Sequence, residues 1–189
     1  MDQPTLQTAR LRLRPYALSD VAELVRLAGA REVAATTLRI PHPYHEVDAV
    51  DFIVNCQPDA DLGLGVRLAI TLLDTGNLCG GVGLSIAPAH QNAELGYWIG
   101  TPYWGNGYAT EAAAAIVQYG FDTLGLRRIY ASYFACNVAS SRVLQKIGMR
   151  HEGRLRNHIC KWEEFHDLEC YGMLKSDRPG PDTGSQSLR

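Results

Sequence analysis

A chain of 189 residues is the size of one ordinary domain, which excludes a repeat array and two full domains. Its 46% hydrophobic and 20% charged residues are the balance of a globular protein that withdraws about 70% of its unfolded surface from water, so its core needs no staple. Eighteen Lys and Arg against twenty Asp and Glu leave a net charge of -2, so no global field attracts nucleic acid.

The opening from Thr8 to Pro15 alternates Leu11 and Leu13 with Arg10, Arg12 and Arg14, which predicts a strand with its arginines toward solvent. Ser19 or Asp20 then caps a helix whose stripe is Val21, Leu24, Val25 and Ala28. Pro41 and Pro43 keep residues 31–45 out of a long helix, and Val47, Val50, Phe52, Ile53 and Val54 predict a second helical stretch from residue 46. Three strands follow: Val66 to Leu73, Leu78 to Ile86 after the turn Asp74-Thr75-Gly76-Asn77, and Ala93 to Ile99. A helix from Gly107 to Leu124 puts Ala109, Ala112, Ala113, Ile116, Val117 and Leu124 on one face. Arg128 to Phe134 reads as a strand, Ser140 to Ile147 as a short helix ending at Gly148, and residues 149–156 and 167–174 as two last strands. An apolar edge near those strands offers a place for a second copy, as a homodimer.

The order βαα, βββ, αβαββ gives a single α/β domain over residues 6–175, with a mixed central sheet covered by helices on both faces. Pro179, Gly180, Pro181 and Gly184 in a polar setting make 176–189 an expected disordered tail. The longest strictly apolar run, Ala112 to Val117, is too short to span a bilayer, and the start of the chain has no charged-then-apolar signal pattern. The five cysteines, Cys56, Cys79, Cys136, Cys160 and Cys170, form no Cys-x-x-Cys pair and read as reduced thiols. A cytoplasmic protein without a membrane partner is expected.

The stretch richest in chemistry is Glu94-Leu95-Gly96-Tyr97-Trp98-Ile99, then a turn, then Trp104-Gly105-Asn106-Gly107-Tyr108-Ala109-Thr110-Glu111 opening a helix. Gly105 and Gly107 let the backbone approach a ligand, and the free amides of the helix's first turn suit a pyrophosphate. A Walker A loop is excluded because neither glycine precedes a lysine. The dinucleotide fingerprint fails as well, since Thr110 stands where it needs glycine or alanine.

These residues resemble the GNAT superfamily of acyl-CoA-dependent N-acyltransferases, and within it the RimJ/RimL-like branch that acetylates N-termini of ribosomal proteins. The resemblance rests on Thr8-x-Arg10-Leu11-x-Leu13-Arg14 with Asp20, and on Glu94-x-Gly96-Tyr97-Trp98 with Trp104-Gly105-x-Gly107-Tyr108-Ala109-Thr110-Glu111-Ala112. It continues through Asn137-x-x-Ser140-x-x-Val143-Leu144-x-Lys146-x-Gly148-Met149, Glu152-Gly153, Asp167 and Tyr171. It implies a GNAT-like fold with a mostly antiparallel sheet, and acetyl-CoA as co-substrate with no metal. Trp104, Gly105, Asn106, Gly107, Tyr108 and Ala109 would hold the CoA pyrophosphate by backbone amides. Trp104 replaces the Gln or Arg usual at that position, and its indole is expected to pack. By the same resemblance, main-chain groups of Trp98 and Ile99 pair with the pantetheine arm, and Asn137 and Ser140 lie beside it.

Acetyl transfer needs a neutral amine, a polarised thioester and a proton for the departing thiolate. Glu94, a carboxylate in an otherwise apolar strand, is the candidate base; the alternative is a structural hydrogen-bond partner. The tyrosine that many relatives use as acid is replaced by Leu144, which leaves Ser140 or Ser141 acting through water, with helix capping as the plainer role for both. Tyr133, Tyr97 and Tyr171 are more distant alternatives. Weak acid-base equipment favours an α-amine, with pKa about 8, over a lysine at about 10.4, so the expected acceptor is a protein or peptide N-terminus such as a ribosomal protein's. A small-molecule acetyltransferase (antibiotic, polyamine or amino acid) and a noncatalytic CoA-binding module remain the alternatives. His42, His45 and Glu46 lack a third metal ligand, and the segment Pro41 to His45 reads better as lining for the acceptor pocket. His158, Cys160 and His166 read as exposed hairpin residues, and Arg127, Arg128, Arg142 and Lys146 as surface charges rather than a 3′-phosphate site.

Overall fold

A computed structural model describes residues 2–178. Its strands are β1 (Leu6–Gln7), β2 (Leu11–Pro15), β3 (Gly65–Leu72), β4 (Leu78–Ala87), β5 (Asn92–Ile99), β6 (Arg128–Phe134), β7 (Arg150–Lys161) and β8 (Glu164–Leu174). The helices are α1 (Val21–Ala28), α2 (Arg31–Ala34), α3 (Glu46–Asp61), α4 (Tyr108–Asp122) and α5 (Val138–Lys146). All eight strands join one sheet in the order β1-β2-β3-β4-β5-β6-β8-β7, antiparallel throughout except at β5 and β6. The expected α/β architecture with a mixed, mostly antiparallel sheet is therefore present.

The alternation of side chains along a strand sorts the core into two layers. Leu95 and Ile99 of β5 join Ile116 and Phe121 of α4, Ile129 of β6 and Leu144 of α5 on one face. Trp98 packs on the other face with Leu24 and Leu27 of α1 and Ala49 and Ile53 of α3. Along β5, then, Leu95, Tyr97 and Ile99 turn toward α4 and α5, while Glu94, Gly96 and Trp98 turn toward α1 and α3.

Pairing of β5 with β6 covers only Asn92–Glu94 against Arg128–Tyr130. Past Glu94 the two strands part, and a gap opens through the middle of the sheet. Every functional feature below is arranged around that gap.

Several elements differ from the sequence expectation for identifiable reasons. The first strand breaks at 8–10 because the Glu111 carboxylate of α4 accepts the Thr8 hydroxyl at 2.6 Å and the Arg10 N–H at 2.9 Å, taking a donor the ladder would otherwise use. Asp20 spends its carboxylate on the Ala17 N–H at 2.9 Å and on both terminal nitrogens of Arg14 at 2.7 Å, not on the first turn of α1. Helix α5 starts at Val138 rather than Ser140, because Asn137 is its cap and accepts the Ser140 N–H at 3.1 Å. The β7–β8 hairpin runs beyond 149–156 and 167–174 to a tight turn at Trp162 and Glu163, whose φ values of 50° and 67° are left-handed. Of the expected disordered tail 176–189, Ser176 and Asp177 are instead ordered in a 3-10 turn that begins at Lys175, Arg178 follows on the Asp122 carboxylate, and residues 179–189 lie outside the described residues.

Candidate active site

A cleft of about 1090 Å³ occupies the gap, walled by β5 on one side and by Ala131–Tyr133 and the start of α5 on the other. The glycine loop closes one end and the segment 36–44 the other.

At the first end, Gly105 and Gly107 both take φ of 79°, and Gly107 is the N-cap of α4. Only a residue without Cβ adopts this left-handed conformation without strain, which ties the loop's path to its two glycines. The first backbone bond of the helix runs from the Glu111 N–H to the Gly107 carbonyl at 3.1 Å, which leaves the amides of Tyr108, Ala109 and Thr110 without helical acceptors. All three residues line the cleft, so the positive end of α4 is presented to it. Asn106 is not among the lining residues; its side-chain amide donates to the Tyr103 and Trp104 carbonyls at 3.1 Å each and shapes the turn.

Arg10 braces this loop from outside. The Arg10 guanidinium donates to the Asn106 carbonyl at 3.0 Å and to Glu111 at 2.8 Å. Burial works against ionisation of Glu111, but the Thr8 hydroxyl and the Arg10 N–H and guanidinium outweigh it and hold the carboxyl below its usual range. Arg10 is half exposed, as its alternating pattern implied, and is tied to the loop as well. Trp104 is half exposed, and its indole N–H donates to the Ile99 carbonyl at 2.6 Å. Arg142 and Lys146, one turn apart on α5, line the cleft, whereas Arg128 is engaged by Glu152.

The main chain of β5 sorts the two residues expected along the pantetheine arm. The Gly100 N–H bonds the Cys79 carbonyl at 2.9 Å, and the register from Gly80↔Ile99 to Ala87↔Asn92 is unbroken. Hydrogen-bonded pairs alternate in an antiparallel ladder. The Trp98 main-chain groups therefore point at Gly81 in β4, and those of Ile99, Tyr97 and Leu95 point the other way, with the Ile99 carbonyl taken by the Trp104 indole and its N–H left to the gap.

On the α4 and α5 face, Asn137 and Ser140 line the cleft. The buried Ser140 Oγ lies 2.6 Å from the Tyr97 hydroxyl, so Ser140 caps nothing. Ser141 points elsewhere, into a separate pocket of about 420 Å³ with Tyr133, His151, Glu169 and Tyr171, and its Oγ is 3.4 Å from the Tyr171 hydroxyl. The structure thus brings Ser140, and not Ser141, to the gap.

On the α1 and α3 face, Glu94 is the last β5 residue paired with β6, and its carboxylate accepts the Arg39 guanidinium at 2.7 Å. Arg39 also reaches the Ser85 hydroxyl at 3.3 Å. Arg39 carried no signal in the sequence, being a lone arginine in a segment without periodicity. Two residues beyond Gly96, the Trp98 indole meets the Tyr16 hydroxyl above Gly81, where a Cβ would fall 2.1 Å from that hydroxyl and 2.5 Å from the indole nitrogen. Burial drives the Tyr16 phenol well above its usual range. Burial likewise pushes the Tyr44 phenol up to about 12.

Of the segment Pro41 to His45, Pro41 and Tyr44 line the cleft. His42 bonds the Gly29 carbonyl at 3.1 Å and tilts against Trp162 with ring centroids 5.8 Å apart, and the His45 N–H bonds Asp48 at 2.8 Å. The tip of the β7–β8 hairpin clasps this segment: the Lys161 ammonium donates to the Thr37 carbonyl and to the Ile40 carbonyl at 3.0 Å.

Comparison with known proteins agrees with this geometry. The acetyltransferase (GNAT) domain model matches residues 10–150. The chain is 30% identical over 178 residues to p20 of Bacillus licheniformis, described as an uncharacterized N-acetyltransferase, covering 93% of this chain and 99% of that one. It is 40% identical over 112 residues to YoaA of Bacillus subtilis (strain 168), described in the same terms, and this match covers 59% of this chain and 63% of YoaA, less than two thirds of that relative. Among solved structures, RimL, a ribosomal L7/L12 α-N-protein acetyltransferase in complex with coenzyme A, superimposes with a TM-score of 0.82 at 18% identity, covering 90% of this chain and 98% of its own, a likeness of fold.

Proposed function

The chain belongs to the acetyltransferase (GNAT) family of acetyl-CoA-dependent N-acetyltransferases, and we propose that the amine it acetylates is the α-amine of a protein or peptide N-terminus. The amides of Tyr108, Ala109 and Thr110, with Gly105 and Gly107 shaping the approach, take the pyrophosphate, and Arg142 and Lys146 lie within the same cleft to balance further phosphate charge. Ile99 offers its main-chain N–H to the arm from one wall, and Asn137 and Ser140 flank it from the other. Amine and thioester then meet in a ternary complex, without a covalent intermediate on the enzyme.

The position of Glu94 carries the reading of the acceptor. It stands where β5 and β6 part, facing α1 and α3, opposite in face to Tyr97 and Ser140. Its carboxylate is engaged by the Arg39 guanidinium at 2.7 Å, so one of its oxygens is committed before an amine arrives. An amine of pKa about 8 asks less of a carboxylate so engaged than a lysine side chain near 10.4 does. RimL, of the same fold, is described as acting on an α-N-protein terminus, which supports the choice. The five cysteines are all unpaired, and we infer a reducing, cytoplasmic setting for the reaction.

Two measurements test this. With a panel of peptides bearing either a free α-amine or only a lysine amine, kcat/KM is expected to favour the α-amine by at least about tenfold; preference for lysine or for small polyamines defeats the acceptor assignment. Glu94→Gln is expected to lower kcat about 100-fold while the acetyl-CoA Kd stays within twofold. Unchanged turnover removes Glu94 from the mechanism.

A further inference from the structure

The departing thiolate of CoA needs a proton, and Leu144, fully buried in the core, cannot give one. Ser140 reaches the cleft, but an isolated serine hydroxyl is a poor acid. What stands behind it is therefore decisive. The Tyr97 hydroxyl lies 2.6 Å from Ser140 Oγ and 3.3 Å from the Ser140 carbonyl. A hydroxyl has one proton to give and two lone pairs. When Tyr97 donates to Ser140 Oγ, the serine's own proton is free to point into the cleft. The Asn137 cap fixes the first turn of α5 through the Ser140 N–H at 3.1 Å, so the pair is held from both sides.

We propose that Tyr97 is the proton source behind Ser140. This rests on the acetyltransferase reading above. As the bond from the carbonyl carbon to sulfur breaks, the Ser140 O–H proton passes to the thiolate and forms S–H, while the Tyr97 O–H proton passes to Ser140 Oγ. The electron pair left on Tyr97 oxygen is reprotonated by water from the open cleft, and the proton shed by the amine leaves through Glu94 on the other face, so the exchange balances. Ser140 is the catalytic residue and Tyr97 the positioning residue that loads it. Burial pushes the Tyr97 phenol up to about 12, against the opposing effect of its bond to Ser140, so Tyr97 holds its proton between turnovers. The other titratable groups lining the cleft on this face are Tyr133 of β6, Cys136 between β6 and α5, Tyr108 of α4, and Arg142 and Lys146 of α5, so the CoA titration is read as the difference from the CoA-free protein.

The test needs no acceptor. The full chain is saturated with free CoA and the bound thiol is titrated by its thiolate ultraviolet absorbance. A donated hydrogen bond favours the thiolate, so Tyr97→Phe and Ser140→Ala are each expected to raise the bound thiol pKa by about one unit or more relative to the unsubstituted protein. Tyr171→Phe, in the separate pocket, is expected to leave it in place. With a working acceptor, Tyr97→Phe is expected to lower kcat about 100-fold with the acetyl-CoA KM within twofold, and the double variant to be no worse than the worse single one. CoA binding with the same thiol titration in the unsubstituted protein and both single variants overturns the relay alone. No CoA binding by the unsubstituted protein overturns the acetyltransferase reading and the relay with it.

Discussion

The loop at 104–107 and the segment at 36–44 border the same cleft, but they are held by different means. The first is shaped mainly by its own residues: two left-handed glycines, an asparagine side chain bonded to the Tyr103 and Trp104 carbonyls, and a helix that begins at its end, with Arg10 as an outside brace. The second has Thr36 and Thr37 bonded to carbonyls of α2, but its far part is held from elsewhere, by Glu94 on Arg39 and by Lys161 on the Thr37 and Ile40 carbonyls. A site for an invariant phosphate chemistry can be written into a short stretch of backbone. A site for one particular acceptor is assembled from side chains far apart in the chain, which lets it vary without disturbing the fold.

The sharpest way to break this contrast is Gly107→Ala. A Cβ there meets nothing closer than Arg10 Nη2 at 3.6 Å, so packing is not the obstacle; the φ of 79° is. An L-residue in that conformation costs roughly 1–2 kcal/mol, which the loop relieves by swinging its amides away from the cleft. The acetyl-CoA Kd is expected to rise about five- to thirtyfold by calorimetry, with acceptor KM unchanged at saturating acetyl-CoA. An unchanged Kd means the amides of α4 do not hold the co-substrate.

The same contrast explains what was legible in the sequence. Helix α4 declares itself by a period of 3.6 because it buries one face, whereas β3 and β4, buried on both faces, show as apolar runs on either side of the turn Asp74–Asn77. The glycine loop was legible because its geometry depends on residue types that only local backbone demands can explain. The gap at Thr8–Arg10 was not, since its cause is Glu111, more than 100 residues away in sequence. Nor was the hairpin tip, where Trp162 and Glu163 occupy left-handed positions that usually announce themselves as Gly or Asn. Those two residues put Trp162 beside His42 and Lys161 under the segment 37–40, long-range contacts that no local pattern encodes. At the cleft, Asn137 and Ser140 both line the wall, but which of them caps α5 was not legible, because capping by either residue is equally compatible with the sequence.

Lys161→Met probes the second loop. Burial holds the Lys161 ammonium below the ordinary lysine range, and its two carbonyl partners are what compensate that burial. Methionine keeps much of the stem's packing and removes the donors. The segment carrying Arg39 and Tyr44 loses its tether, so acceptor KM is expected to rise about tenfold with the acetyl-CoA Kd unmoved, a loss of the order of one charge-assisted hydrogen bond. A change in acetyl-CoA affinity instead would show that the two ends of the cleft are coupled.

The smallest effect is expected at Arg10→Gln, and its smallness is informative. The Arg10 side chain is half exposed, so its ion pair with Glu111 is of the weak kind, and Glu111 keeps the Thr8 hydroxyl and the Arg10 backbone N–H in the variant. What disappears is the bond to the Asn106 carbonyl at 3.0 Å. The acetyl-CoA Kd is therefore expected to rise only about threefold. The pH dependence follows from the sign of the Glu111 shift: a carboxyl held below its usual range contributes stability above the unfolded pKa of about 4.3, and that contribution is lost as pH falls through the lower folded value. Glu111 thus stays ionised across neutral pH, and the threefold ratio is expected to be flat from about pH 6 to pH 9. A ratio that rises or falls within that window would mean that Arg10 acts on the bound phosphates themselves and not through the brace it makes with Glu111 and Asn106.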